Sequence, residues 1–388
     1  MSRMIRMTRI FSRHSMGRLF GFVIGAVVLA SSTVPTAAHA QASIDFPLGI
    51  GFHVPSYDRV DGLSLPFGPT ISWRDTVFVI EPAITYRSHL GKIDPSLSMT
   101  WRPKDSTVAL TLDGGRGTHT NDRWIRSDLV NSAASLALGT DARNYYRGDR
   151  VEGKVVWTLP SEAGSTEVYA GALFENDWST GWRLGEHRGP YSVIDRNDEV
   201  NGIDRPNPLI DRGHIGSGLA GLGGSYKTDR INVDARGRLE VAWHTPLGTR
   251  FQQYRLYEEG QFHTFGDQYL EVDVHGITTT GDAAPRQRWA YVGGSGTLAT
   301  LDVLQLGGDH MYFIDALYVV PFSKLTVPVL GSFFVAPHYA VGAANVGGFG
   351  VPTANVGLRV GVGMVRIDYL VNPRTHKHDF SYGFSFTR

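Results

Sequence analysis

The chain has 388 residues, with 46 Gly, 19 Phe, 16 Tyr and 8 Trp, and only 19% of it is charged. Length alone allows two or three soluble domains or one large all-β barrel, and glycine and aromatics at this level suit strands and turns better than helices. It contains no cysteine, which excludes a disulfide framework, a thiolate metal site and a cysteine nucleophile.

Residues 1–40 read as a cleaved export signal. Arg3, Arg6, Arg9, Arg13 and Arg18 form its positive end, 19–30 is apolar, and Ala38-His39-Ala40 is a small-residue cleavage site. The apolar stretch is too short to span a bilayer permanently, and no cysteine follows it to carry a lipid anchor. Cleavage is expected before Gln41, leaving 41–388 as the mature domain. The segment takes five of the 37 basic residues and none of the acids, so 32 basic face 37 acidic residues, a net charge of −5. That balance argues against a nucleic-acid partner, whose phosphates require a basic face.

Beyond residue 40 no run of 18 apolar residues occurs. The nearest candidate, 313–346, is broken by Pro321, Pro328 and Pro337 and carries Asp315 and Lys324. If this chain spans a membrane it does so as a closed barrel, whose signature is repeated alternation over about ten residues between turns.

In chain order, strands are expected near 43–54, 62–73, 76–88, 93–102, 106–113, 143–159, 164–178, 213–226, 231–244, 249–260, 267–280, 309–321, 325–338, 352–362, 364–372 and 378–388. The alternation is clear at 233–243. Val233, Ala235, Gly237, Leu239, Val241 and Trp243 share one face, and Asp234, Arg236, Arg238, Glu240 and Ala242 the other. Leu270, Val272, Val274 and Gly276 oppose Glu271, Asp273 and His275. Val356, Leu358 and Val360 oppose Gly357, Arg359 and Gly361, and Val365, Ile367, Tyr369 and Val371 oppose Arg366 and Asp368. The closing strand sets Phe380, Tyr382, Phe384 and Phe386 on one face, with Gly383 between them.

Charges of both signs on the polar face suit a water-filled lumen. Trp73, Trp101, Trp157 and Trp243 end apolar faces, as interfacial girdles do. The expected fold is an all-β transmembrane antiparallel β-barrel of about 16 strands, with 14 or 12 as alternatives. The first strand and the pair around 244–266 are the least defined. Long connections (114–142, 179–212, 281–308) follow odd-numbered strands, and short ones (74–75, 102–105, 227–230, 322–324) follow even-numbered strands. Long outer loops and tight periplasmic turns have this asymmetry.

The run Arg288-Trp289-Ala290-Tyr291-Val292-Gly293-Gly294-Ser295-Gly296-Thr297-Leu298, then Gly307-Gly308-Asp309 and a strand, then 356–369 and the aromatic last strand, resembles the barrel of the outer-membrane assembly and translocation superfamily. That group includes bacterial surface-antigen barrels, the central barrel-assembly subunit and two-partner secretion transporters. Tyr57-Asp58-Arg59-Val60-Asp61-Gly62-Leu63 and 131–146 also look like barrels of this group. The resemblance implies sixteen strands and a sixth outer loop, between strands 11 and 12, that folds into the lumen. Gly293, Gly294, Ser295, Gly296, Thr297 and Leu298 occupy that slot. Two departures stand out. The family loop carries an anchoring arginine in a Val-Arg-Gly-aromatic tetrad, whereas here the aligned run is Leu298-Ala299-Thr300-Leu301. Family members that handle clients carry periplasmic docking domains, and the stretch 41–61 is too short for one.

Chemical motifs are weaker. Gly216-Ser217-Gly218-Leu219-Ala220-Gly221 matches a dinucleotide fingerprint by letter but lacks the strand-then-helix context. Gly293-Gly294-Ser295-Gly296-Thr297 lacks the final glycine of a nucleophile elbow. His187, His214, His263 and His275 are not spaced as metal ligands, and His376-Lys377-His378 reads as a solvated turn. No catalytic, cofactor or metal residue is assigned. The lumen charges (Asp234, Arg236, Arg238, Glu240, Glu271, Asp273, Arg359, Arg366, Asp368) are expected to neutralise one another and stiffen the barrel, with a pore-selectivity lining as the alternative. The expectation is a monomeric, non-enzymatic outer-membrane barrel. Through the resemblance, it assists protein insertion, translocation or transport. Its partners are outer-membrane lipid and client or periplasmic proteins. A passive or plugged channel is the alternative, and an outer-membrane hydrolase a more distant one.

Overall fold

The computed structural model describes residues 42–73, 77–180, 205–327, 331–363 and 365–384. The export segment expected at 1–40 and Phe386 of the closing strand lie outside the described residues. Two thin elements begin the chain, β1 (Ala42–Asp45) and β2 (Ser56–Asp58), followed by β3 (Gly62–Phe67) and β4 (Thr70–Trp73). Long strands follow: β5 (Val77–Arg87), β6 (Lys92–Arg102), β7 (Val108–His119), β8 (Tyr146–Ser161), β9 (Gly164–Trp178), β10 (Gly213–Lys227), β11 (Ile231–His244), β12 (Phe251–His263) and β13 (Tyr269–Gly281). Two short strands, β14 (Ala290–Val292) and β15 (Leu306–Gly308), precede β16 (His310–Val327), β17 (Gly331–Asn345), β18 (Thr353–Val362), β19 (Val365–Val371) and β20 (His378–Phe384).

Each long strand pairs antiparallel with its neighbours in sequence, and β13 pairs with β16 across the intervening loop. β3 and β4 both pair with β5 and form one interrupted span, and β1 pairs with β4. Counted this way, sixteen spans make one antiparallel sheet among the described residues, and the fold is all-β. No pairing among the described residues joins β1 to β20.

The two faces are inverted relative to a soluble sheet. On β11, Val241 is 40% and Trp243 48% exposed, whereas Glu240 between β10 and β12 is 1% exposed. Alternate residues point to opposite faces, so the charges lie inside and the apolar side chains outside. A closed-in charged face behind an apolar exterior is the patterning of a lipid-facing barrel. Trp101 and Trp157 are exposed near one rim, where Trp73 packs on Phe78. Trp243 meets Phe174 at the other rim (6.0 Å between rings).

Two strand expectations are corrected. The span foreseen at 43–54 stops at Asp45, because Leu48 (φ 54°), Gly49 (φ 76°) and Gly51 (φ 88°) turn the chain out of the extended region; only Phe52 returns, as an isolated bridge to Phe67. The turn foreseen at 322–324 lies inside β16. A bulge between Phe322 and Thr326 absorbs the irregularity, and the strand continues to Val327.

The outward face makes a direct prediction. Leu239→Arg places a guanidinium near mid-strand on the apolar exterior and should lower folding stability in lipid vesicles by about 2–4 kcal/mol. Arg236→Leu, on the inner face, should have a smaller effect. Urea titration of the two refolded variants compares them.

Candidate functional site

The loop between the eleventh and twelfth spans lies inside the barrel. β14 and β15 pair as a small hairpin, and the glycine run closes it. Gly293 (φ 134°) and Gly294 (φ 80°) occupy backbone conformations that side chains disfavour. A Cβ on Gly293 would sit 2.3 Å from the Asp302 carbonyl oxygen. Thr297 Oγ1 accepts from the Gly293 N–H at 2.8 Å. Leu298 is fully buried in a cluster with Ile277, Val292, Met311, Phe313 and Ala340, which seats the loop on β13, β16 and β17. The tip reaches β18, where the Thr300 N–H donates to Asn355 Oδ1 (3.1 Å) and Asn355 Nδ2 donates to Thr300 Oγ1 (2.8 Å).

The other end of the loop is held by Arg288, in a short 3-10 turn (Arg286–Arg288). Arg288 is 3% exposed. Its Nε donates to Glu240 Oε1 and Oε2 at 3.0 and 3.1 Å, and its Nη2 to Glu175. Glu175 is on β9 and Glu240 on β11, so one guanidinium ties the loop to two spans. The charge chain continues through Arg150 to Glu175 (3.4 Å), Lys154 to Glu152 (2.7 Å) and Arg238 to Glu240 (3.6 Å). Ala299 makes no such pair and lines the cavities on either side of the tip. An arginine anchor is therefore present, but it sits before the glycine run, at Arg288. The sequence reading missed it because its partners lie 48 and 113 residues away.

The two stretches singled out near the start of the barrel, Tyr57-Asp58-Arg59-Val60-Asp61-Gly62-Leu63 and 131–146, meet in one buried polar knot. Helix α1 (Asp128–Ala133), capped by Ser127, presents Asn131, whose Nδ2 donates to Asp141 Oδ1 and Tyr145 Oη, both at 3.2 Å. Asp141 Oδ2 accepts from the Arg59 N–H at 3.1 Å. Arg59, 1% exposed, donates to the Arg143 carbonyl (2.9 Å), to Asn207 and to the Arg205 carbonyl. Asp61 pairs with Arg87, which also pairs with Asp94, and Arg147 holds Asp94 at 2.7 Å. The knot rests on loop six. Asn121 Nδ2 donates to the Gln287 and Trp289 carbonyls (2.6 and 3.1 Å), and Arg126 Nη2 donates to the Ser295 carbonyl (2.9 Å).

Comparison with known proteins places the fold. No protein-family model matches the sequence, and no curated protein matches it. Among solved structures the chain is similar to BamA from Haemophilus ducreyi lacking POTRA domains 1–3. The TM-score is 0.52 at 12% identity, over 89% of this chain and 70% of that one. The fold is that of the BamA barrel. CdiB from Acinetobacter baumannii (TM-score 0.42, 11% identity, 85% of this chain and 57% of that chain) and CdiB from Escherichia coli (0.45, 10%, 86% and 61%) are also matched. This chain spans less than two thirds of either CdiB chain.

The lumen charges fall into distinct groups within this BamA-like barrel. Arg359 pairs with Asp368 at 2.5 Å, and Arg366 lies 3.7 Å from the same carboxylate. His338 bridges Asp315 (2.5 Å) and Asp368 (3.5 Å). Arg236 pairs with Asp234 at 3.0 Å. Charges that alternate along a strand do not alternate across the sheet: Asp234, Glu259, Asp273 and Asp315 face one another in register on β11, β12, β13 and β16. They line a cavity of about 580 Å³ with Glu271, Arg359 and Arg366. A larger cavity, about 1170 Å³, lies between α1, the loop-six tip and the inner face of β20, including Ser381 and Gly383. On β20, Phe380 and Tyr382 are exposed on the outward face. The strand is described to Phe384. Gly216–Gly221 form part of β10, so the dinucleotide reading lacks its helix.

Two outcomes follow from the anchors. Arg288→Ala strands Glu175 and Glu240 in the interior and should cost about 3–5 kcal/mol, and Arg288→Ala with Glu240→Gln should recover part of that loss. Urea midpoints and protease cleavage within 286–305 report both. In the polar knot, burial pushes the Asp122 carboxyl up to about 7, and burial with Asp141 raises Asp58. Both acids then hold protons in the fold at pH values where the unfolded chain has lost them. The stability these two acids contribute is fully present below about pH 4, the unfolded value, and is lost as pH rises through 7. Hydrogen exchange over 120–146, corrected for intrinsic rates, should quicken between pH 5 and 8. Asp58→Asn with Asp122→Asn should flatten that rise.

Proposed function

We propose that the protein is an integral barrel of the bacterial outer membrane that assists insertion or translocation of client proteins. The observation that carries this reading is the combination of an inward loop six, an unpaired seam and the cavity beside it. β20 presents a strand edge with no partner among the described residues, and its inner face borders the 1170 Å³ cavity. An unpaired edge offers a row of N–H and C=O groups to an extended segment. Gly383 adds no side chain to the inner face of β20, so the strand has little packing there to hold it in place. The export segment at 1–40, the BamA-like fold and the apolar exterior support an outer-membrane location. On this reading the barrel is monomeric and works with lipid, clients and periplasmic partners, without a catalytic step or cofactor.

Cysteines introduced at Ser43 and Gly383, joined by a short irreversible crosslinker, test the seam. Crosslinked protein should lose its ability to support assembly or export of outer-membrane proteins, while each single cysteine variant keeps it. Full activity of the crosslinked barrel removes the seam from the mechanism. The charged interior cavities favour one second reading, a passive channel. Planar-bilayer recordings separate the two: a steady ohmic conductance supports the channel, and little or flickering conductance supports a strapped barrel.

A further inference from the structure

Arg238 on β11 and Arg255 on β12 stand directly opposite in register, both on the inner face. Directly opposed residues bring their Cβ atoms within about 4.5–5.5 Å, and like charges so placed repel. The carboxylate in reach is Glu240, 3.6 Å from Arg238, and Arg288 already takes both of its oxygens. Among the described residues the hydrogen bonds of Arg255 go to neutral acceptors: Gln253 Oε1 at 2.9 Å, Asn121 Oδ1 at 3.3 Å and the Arg288 carbonyl at 3.5 Å. Arg238 Nε has no hydrogen-bond partner among the described residues.

A second observation stands beside this pair. His275 on β13, across from Tyr257, is 8% exposed and lies under Trp124, with ring centroids 4.3 Å apart. One ring nitrogen has at most a long contact to the Leu256 carbonyl, and the other has no partner among the described residues. Buried polar groups left in this state are rare. Arg238, Arg255, Tyr257 and His275 line one cavity of about 620 Å³. Asp234 and Glu167 also border it, but Asp234 is occupied by Arg236 at 3.0 Å and Glu167 lies at the far side, on the row of Gly223.

We infer that Arg238, Arg255 and His275 form a binding site for a small oxyanion of the phosphate type inside the barrel. Guanidinium forks match the oxygens of a tetrahedral anion. An anion between the two arginines converts their repulsion into two attractive contacts, and the free nitrogen of His275, a lone-pair acceptor while its other nitrogen carries the N–H toward Leu256, takes a hydrogen bond from a P–OH of the same anion. The site stands whether the barrel passes clients or conducts solutes, because it uses neither the seam nor the 1170 Å³ cavity.

The test uses the refolded full barrel in detergent, with inorganic phosphate as probe and sodium chloride at matched ionic strength as control. Wild type should gain thermal stability with phosphate in a saturable, millimolar-range dependence, with a matching change in tryptophan fluorescence from Trp124. Arg238→Gln should weaken the response at least tenfold, read as the phosphate-induced shift from the variant's own phosphate-free melting temperature. His275→Phe should weaken the phosphate response, read against the same variant in chloride. Arg116→Gln, at an exposed pair with Asp149, should respond as wild type. Glycerol 3-phosphate separates sources: binding as tight as phosphate indicates a phosphorylated small molecule or headgroup, and binding of phosphate alone indicates the free ion. A response absent in wild type, or undiminished in Arg238→Gln, overturns the site.

Discussion

The Arg288 guanidinium, with Glu175 and Glu240 around it, is the contact on which the interior depends. None of the three charges is tolerable alone at its depth, since removing ions from water costs several kcal/mol each. Their mutual neutralisation sets where the loop enters the barrel, which spans it crosses and how far its glycine tip can reach. From that fixed point the hairpin runs to Asn355 on β18, so the loop is a strap tied at both ends. The cavities on either side of the tip exist because the strap crosses the lumen without filling it.

A different kind of bonding holds the layer above the strap. Arg59 and Arg205 there spend their donors largely on main-chain carbonyls and amide oxygens. Arginines used this way order irregular backbone that has no ladder to satisfy it. The result is a cap made of loops but with the burial of a core: Arg59, Asp141 and Asn131 are each 1% exposed. The wall pairs of Asp61, Arg87, Asp94 and Arg147 connect that cap to the strands beneath it.

The barrel was legible in the sequence wherever information is local. Alternation at 233–243 and 365–371 specifies which side of a strand faces outward, and the spacing of turns gives the number of spans. The shortening of the first span was less legible, because Leu48 in a left-handed conformation carries no letter-level mark. The interior arrangement was least legible. Interleaved signs along β11 suggested neutralisation, but which charges meet is decided by register between strands, which sets Asp234 opposite Glu259 and Arg238 opposite Arg255. The displaced anchor was hidden for a related reason: an arginine acquires this role only when folding brings β9, β11 and the loop together. The glycine run, by contrast, was readable because its backbone conformations admit few other residues.

The seam between the first and last strands bears on the order in which the chain folds. Most of the spans pair with a neighbour close in sequence, so the sheet can grow hairpin by hairpin with small loop-closure costs. Joining β1 to β20 would instead bring together the two ends of the barrel domain, its most non-local contact. Contacts of that separation form slowly and late. Closure at the seam is thus the last step of folding, set by hairpins that form before the two ends can meet.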